Sequence, residues 1–167
     1  MQEQVHWLTL IIGHVIADGA DGETPTIPRS LVSLKSTNSK HHVVEISTHM
    51  FQLLDALAFP LDSIQHQECS PLLIESIFWF LNRWASTYLF LESGNYPGLD
   101  QILAVSFGAE GQGHQALEFL LLKMNHHINL WYTEGDVVSM IVSLLDTLSK
   151  IRNCRNALLA SRKIRLI

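Results

Sequence analysis

Residues 71–91 read Pro71-Leu72-Leu73-Ile74-Glu75-Ser76-Ile77-Phe78-Trp79-Phe80-Leu81-Asn82-Arg83-Trp84-Ala85-Ser86-Thr87-Tyr88-Leu89-Phe90-Leu91. Leu73, Ile77, Phe80, Trp84 and Tyr88 recur at three- and four-residue steps, and Ile74, Phe78, Leu81, Ala85 and Leu89 form a second row beside them. Two adjacent rows make an apolar arc too wide for a surface helix, so this helix packs on more than one side. Ser70 offers an N-cap hydroxyl, and Pro71 sits at the first helical position, where no amide hydrogen is needed.

The helical period extends in both directions, and strand alternation is weak. Val5, Leu8, Ile12, Val15 and Ile16 predict a helix over 4–17; Val43, Ile46, Met50, Leu53, Leu54 and Leu57 predict one over 42–58. Downstream the pattern predicts helices over 100–106 and 114–131, one through 149 opened by Thr133 and Asp136 at N-cap and N3 spacing, and a last over 152–164. Residues 18–41 centre on Thr24-Pro25-Thr26-Ile27-Pro28 and read as a long loop, because two prolines three apart cannot lie inside a helix. A loop of that length is either functional or loosely ordered. The class is all-α, with six or seven helices. Spacing alone allows either an orthogonal bundle or antiparallel helix pairs stacked as a solenoid.

Composition agrees. Of 167 residues, 47% are hydrophobic and only 16% charged, against the roughly 25% usual for soluble domains, so much of the chain must pack against something. Disorder is excluded, and two cysteines build no disulfide framework. The apolar run from Val5 to Ala17 carries His6 and His14, unlike a signal peptide, and Glu75, Asn82 and Arg83 interrupt the richest stretch, so no membrane insertion is expected. The chain reads as soluble and intracellular.

Charge divides the sequence in two. All sixteen acidic residues lie at or before Asp146, against five basic ones, which leaves residues 1–149 at −11; the last 18 residues hold six cations and no acid. The expected division is a helical segment over 1–149, with 18–41 as its long loop, and a basic C-terminal helix or tail over 150–167. Such a tail could touch nucleic acid or guide nuclear import, but a terminal helix with cations at its C-terminus is the favoured reading. An acidic body would repel phosphate, so no nucleic-acid partner is expected.

Chemistry is sparse. Gly108, Gly111 and Gly113 precede a helix, yet their spacing is not a dinucleotide fingerprint and Glu110 would repel phosphate, so they read as a turn. His42, Glu45 and His49 share a helical face with zinc-compatible side chains, but His41 and His42 equally suit a solvated helix start, and Glu45 can pair with His41 or His49 without any metal. His126-His127 has no neighbouring acid. Cys69 precedes a helix start that would stabilise a thiolate, with His66 nearby as its one local base. None of these completes a mechanism, so no catalytic, cofactor-binding or metal-ligating residue is assigned and no enzyme is expected. Trp79 stands in the polar stripe of its helix, one turn from Glu75 and Arg83. Cover from within the chain is the favoured reading; exposure to a partner is the other, and it makes Trp79 and Arg83 the candidate partner-contact residues.

Several runs carry a family resemblance. His6-Trp7-Leu8 followed by Gly13, Asp18 and Gly22-Glu23-Thr24-Pro25-Thr26-Ile27-Pro28, the run Phe78–Leu89, and Phe107-Gly108-Ala109 resemble the exportin-4 family of nuclear transport receptors, within the importin-β or karyopherin superfamily. The likeness covers about residues 3–148 and is densest at 6–28 and 78–89; 29–70 match poorly and 150–167 scarcely. It implies a HEAT-repeat solenoid segment of a nuclear export receptor that binds protein cargo with Ran-GTP and meets phenylalanine-glycine repeats at the nuclear pore. It also implies shuttling between nucleus and cytoplasm, with no cofactor. The alternative expectation is a free-standing helical interaction module without transport activity.

Overall fold

The computed structural model describes residues 1–19, 23–35, 41–59, 68–92, 94 and 96–160, with side chains as far as Asn156. Its helices are α1 (Gln2–Ile16), the short α2 (Arg29–Val32), α3 (His42–Ala56), α4 (Pro71–Tyr88), α5 (Gln101–Phe107), α6 (Gly113–Leu130), α7 (Gly135–Lys150) and α8 (Arg152–Ala160). Among the described residues there is no strand, only an isolated bridge between Asp18 and Thr26.

Contacts along these helices fix their directions. At the start of α1, Gln2 Nε2 donates to the Glu68 carbonyl at 2.9 Å and Gln2 Oε1 accepts from the Ser70 amide at 2.6 Å. At its end, the Tyr88 hydroxyl donates to the Ile16 carbonyl and Arg83 to the Ala17 carbonyl. So α1 and α4 run the same way. α3 runs back: Ser47, near its start, meets Trp84 late in α4, while Leu53 and Leu57, near its end, line a groove with Gln2, Val5 and Leu73. α6 follows α3, pairing Phe119 with Phe51, Lys123 with Asp55, and His126 with the Phe59 carbonyl in step. On the other flank of α4, Asn82, Arg83 and Ser86 share a cleft with Thr147 and Lys150 at the end of α7.

The result is two layers. α1, α4 and α7 run in one direction with α4 in the middle, and α3 and α6 return behind them. These are antiparallel helix pairs stacked as in a HEAT-like solenoid segment, which decides against the orthogonal bundle. α4 packs most extensively on α7 and next on α1, and both of its apolar rows are buried. Trp84, fully buried, sits edge-on to Phe51 and Phe107, and its indole N–H donates to Ser47 Oγ at 2.9 Å.

The local departures from the expected pattern have identifiable causes. α4 stops at Tyr88, short of residue 91, because Leu89 is extended and Phe90 takes a left-handed φ of 57°, donating its amide to the Phe107 carbonyl at 2.8 Å. Phe90 and Leu91 are thereby turned into the core. Ser70 holds the N-cap position, but its hydroxyl makes no capping bond. α7 begins at Gly135 with Glu134 as N-cap, so Thr133 and Asp136 form no capping box; the Glu134 amide instead closes a turn onto the Trp131 carbonyl. In the 18–41 loop, Asp18 and Thr26 exchange two backbone bonds of 2.8 and 2.7 Å, Ile27 is buried and α2 follows Pro28. The end expected for the last helix, 161–164, lies outside the described residues.

His41 also differs from expectation. It is buried rather than solvated, and its Nδ1 accepts from the Val43 amide at 3.2 Å, so a neutral imidazole caps α3. Burial lowers its pKa in spite of the nearby Asp100 carboxylate. His127, fully buried beside Phe78, is lowered further, to about 4, by burial first and then by His126.

Two outcomes follow from this packing. An unfolded imidazole titrates near 6.5, so between pH 6.5 and 4 the unfolded chain binds the proton that native His127 refuses. Stability is complete above 6.5 and falls as the pH drops towards 4; urea melts across that range will show a loss of up to about 3 kcal/mol that His127→Leu largely removes. Trp84→Ala will cost about 3–5 kcal/mol in the same melts at neutral pH, and Trp84→Phe clearly less, leaving Ser47 without its donor.

Candidate partner-contact site

Trp79 and Arg83 stand one turn apart on α4, both half-buried, facing the end of α1. The last carbonyls of a helix have no partner within it. Here Arg83 supplies one from outside. Its Nη2 donates to the Ala17 and Gly19 carbonyls at 2.8 and 2.9 Å, and its Nε reaches the Gly13 carbonyl at 3.4 Å. A fixed cation at a helix C-terminus also meets the negative end of the helix dipole. The guanidinium lies 5.5 Å from the Trp79 ring centroid, within cation–π range.

The indole packs on α1 at Gly13, where a Cβ would come within 2.5 Å of Trp79 Cζ3, and beside the His14 ring at 5.1 Å. Gly13 is therefore a contact glycine in a helix interior, which its lower helix propensity would otherwise disfavour. Periodicity gives no hint of it, since a glycine carries no apolar signal. The free side of Trp79 and Arg83 opens on a cleft of about 580 Å³, walled also by Glu23, Thr24, Asn82 and Lys150. Asn82 Oδ1 is shielded and has no hydrogen-bond partner among the described residues. The arrangement offers an aromatic face, two cations, one carboxylate and amide and hydroxyl groups; among the described lining residues there is no activated nucleophile.

The remaining sequence candidates do not converge. His42 Nδ1 pairs with Glu45 Oε2 at 3.4 Å on the exposed start of α3, and among the described residues no three His, Cys, Asp or Glu side chains gather as metal ligands. Cys69 is buried and burial pushes its thiol pKa up, opposite to what an activated thiolate requires; His66 lies outside the described residues. The glycine run closes on itself, with the amides of Gly111 and Gly113 donating to the Gly108 carbonyl and that of Gln112 to the Val105 carbonyl, so none points at a phosphate. Among the described residues no helix is long and apolar enough to cross a membrane.

A family model described as Exportin-4 matches residues 1–167. The chain belongs to the exportin-4 family. The match takes in 29–70 and 150–167, which the motifs read from the sequence scarcely reached. A curated relative, Exportin-4 of Dictyostelium discoideum, is 23% identical over 154 residues, covering 87% of this chain. The chain spans 14% of that relative's length. Exportins, as a family, are transport receptors rather than enzymes.

Gly13→Ala will force Trp79 off the α1 surface and lower the melting temperature, at a cost of about 1–3 kcal/mol, the usual range for overpacking. Arg83→Lys, which keeps the charge but loses the fork that spans the carbonyls, will also destabilise, read in the same melts.

Proposed function

We propose that this chain is a protein-binding segment of an exportin-4-type nuclear export receptor, which carries protein cargo together with Ran-GTP and shuttles between nucleus and cytoplasm. The match of the family model over residues 1–167 carries the reading. The layered helices support it, as does the apolar surface left on the outer helices. On α1, Trp7, Leu8, Ile11 and Val15 are each more than half exposed, and Val142 and Leu145 are exposed on α7. In a receptor of the relative's length these are surfaces for neighbouring helical pairs, since a solenoid repeat buries its faces against the next.

In this reading 1–149 form the helical stack and 150–167 a basic end, with Trp79 and Arg83 presenting their cleft side to a protein partner. Passage through the pore rests on weak contacts with phenylalanine-glycine repeats. The segment has no catalytic role and calls for no cofactor, nucleic acid or membrane insertion.

The test uses the full-length receptor that carries these residues. With Ran loaded with a non-hydrolysable GTP analogue, immobilised receptor should retain protein cargo that it releases when Ran holds GDP. Equal retention in both nucleotide states overturns the transport reading and leaves a helical interaction module.

A further inference from the structure

A groove of about 600 Å³ lies between the segment from Thr26 to Lys35 and the turn Tyr96–Gly98. Ile27, Val32, Tyr96 and Pro97 give it an apolar lining, and Arg29 and Lys35, both exposed, stand along it. Lys35 Nζ donates to the Gly98 carbonyl at 2.7 Å, tying the two walls together while leaving further ammonium protons for another acceptor. Among the described residues lining the groove there is no Asp or Glu. The nearby acids lie elsewhere: Asp100 is buried and caps α5 through the Ile102 amide, and Glu92 lies outside the lining.

Sequence and charge sharpen the contrast. Residues 24–44 contain no acid and hold Arg29, Lys35 and Lys40, three of the five cations of residues 1–149, which carry all sixteen acids. Lys40 itself lies outside the described residues.

We propose that this groove is the docking site of an acidic partner segment, with an apolar side chain seated on Ile27, Val32, Tyr96 and Pro97 and carboxylates set against Arg29 and Lys35. Its volume is within the roughly 300–1,000 Å³ range of ligand-binding clefts. The net negative charge of residues 1–149 repels such a segment from the rest of that stretch, so within it charge complementarity favours this groove; the cations of 150–167 are a separate attraction, from which the Arg29 and Lys35 changes distinguish the groove. A basic segment has no counterpart here. The inference concerns the groove alone and is independent of transport.

Fluorescence anisotropy of the full chain with a fluorescein-labelled peptide Glu-Asp-Glu-Phe-Asp-Leu-Glu-Asp tests it. Saturable binding is expected, weakening as salt rises from about 0.05 to 0.5 M. The combined change Arg29→Glu and Lys35→Glu should weaken it by about tenfold or more, and Arg29→Ala, which leaves the Lys35 tie intact, by severalfold. Replacing Phe and Leu of the peptide with Ser should also abolish saturation, which separates a seated apolar anchor from diffuse attraction. Circular dichroism melts confirm that each variant is folded. No saturable binding to the unaltered chain, equal binding by Arg29→Ala, or equal binding of a peptide with Lys at every acidic position overturns the proposal.

Discussion

The rest of the molecule depends on the need of α4 to hide apolar surface on nearly every side. Its two rows of large side chains cannot be satisfied by one neighbour, so α1 and α7 flank it in its own layer while α3 closes it from behind through Phe51 and Ser47. Two of the hydroxyls caught in this packing are satisfied locally. Ser76 donates to the Leu73 carbonyl and Thr87 to the Arg83 carbonyl, each within its own helix, so both hydroxyls lie buried without an orphaned donor.

A second consequence follows from the shared direction of α1 and α4. Their C-terminal ends fall on the same edge of the stack, where Arg83 and Tyr88 of α4 complete the carbonyls at the end of α1. The connections that leave these ends, beginning at Ala17 and Leu89, are neighbours for that reason. The Trp79–Arg83 cleft and the Arg29–Lys35 groove both open among these connections. Both openings thus arise where stacked helices end, on segments freed from helical hydrogen bonding but anchored by it.

The sequence was most legible where one period dominated. The helices around Leu73–Tyr88 and Leu117–Leu130 lie close to where the apolar spacing puts them. It was least legible at the ends, where competing partners decide. Ser70 and Thr133 look like caps by residue type, yet the first makes no capping bond and the second lies inside a turn closed by the Glu134 amide. His41 looks like a surface residue and is a buried cap, because its neighbours in space, rather than in sequence, exclude water. Trp79 stood out as an oddity in the polar stripe to which Arg83 belongs; that the two clasp the end of α1 could not be read from that stripe.

Apolar periodicity, proline placement and a few specific runs determined by themselves the all-α class, most helix positions and the likeness to exportin-4, since these rest on residues three or four apart or on short contiguous words. Direction, layering and the sites were decided only in three dimensions. Arg83 and Ala17 are 66 positions apart and Trp84 and Ser47 are 37 apart, and no local spacing encodes which carbonyl or hydroxyl such a donor will find. Which apolar faces meet is settled by burying the widest of them, α4, among all its neighbours at once, a condition on the whole chain and not on any window of it.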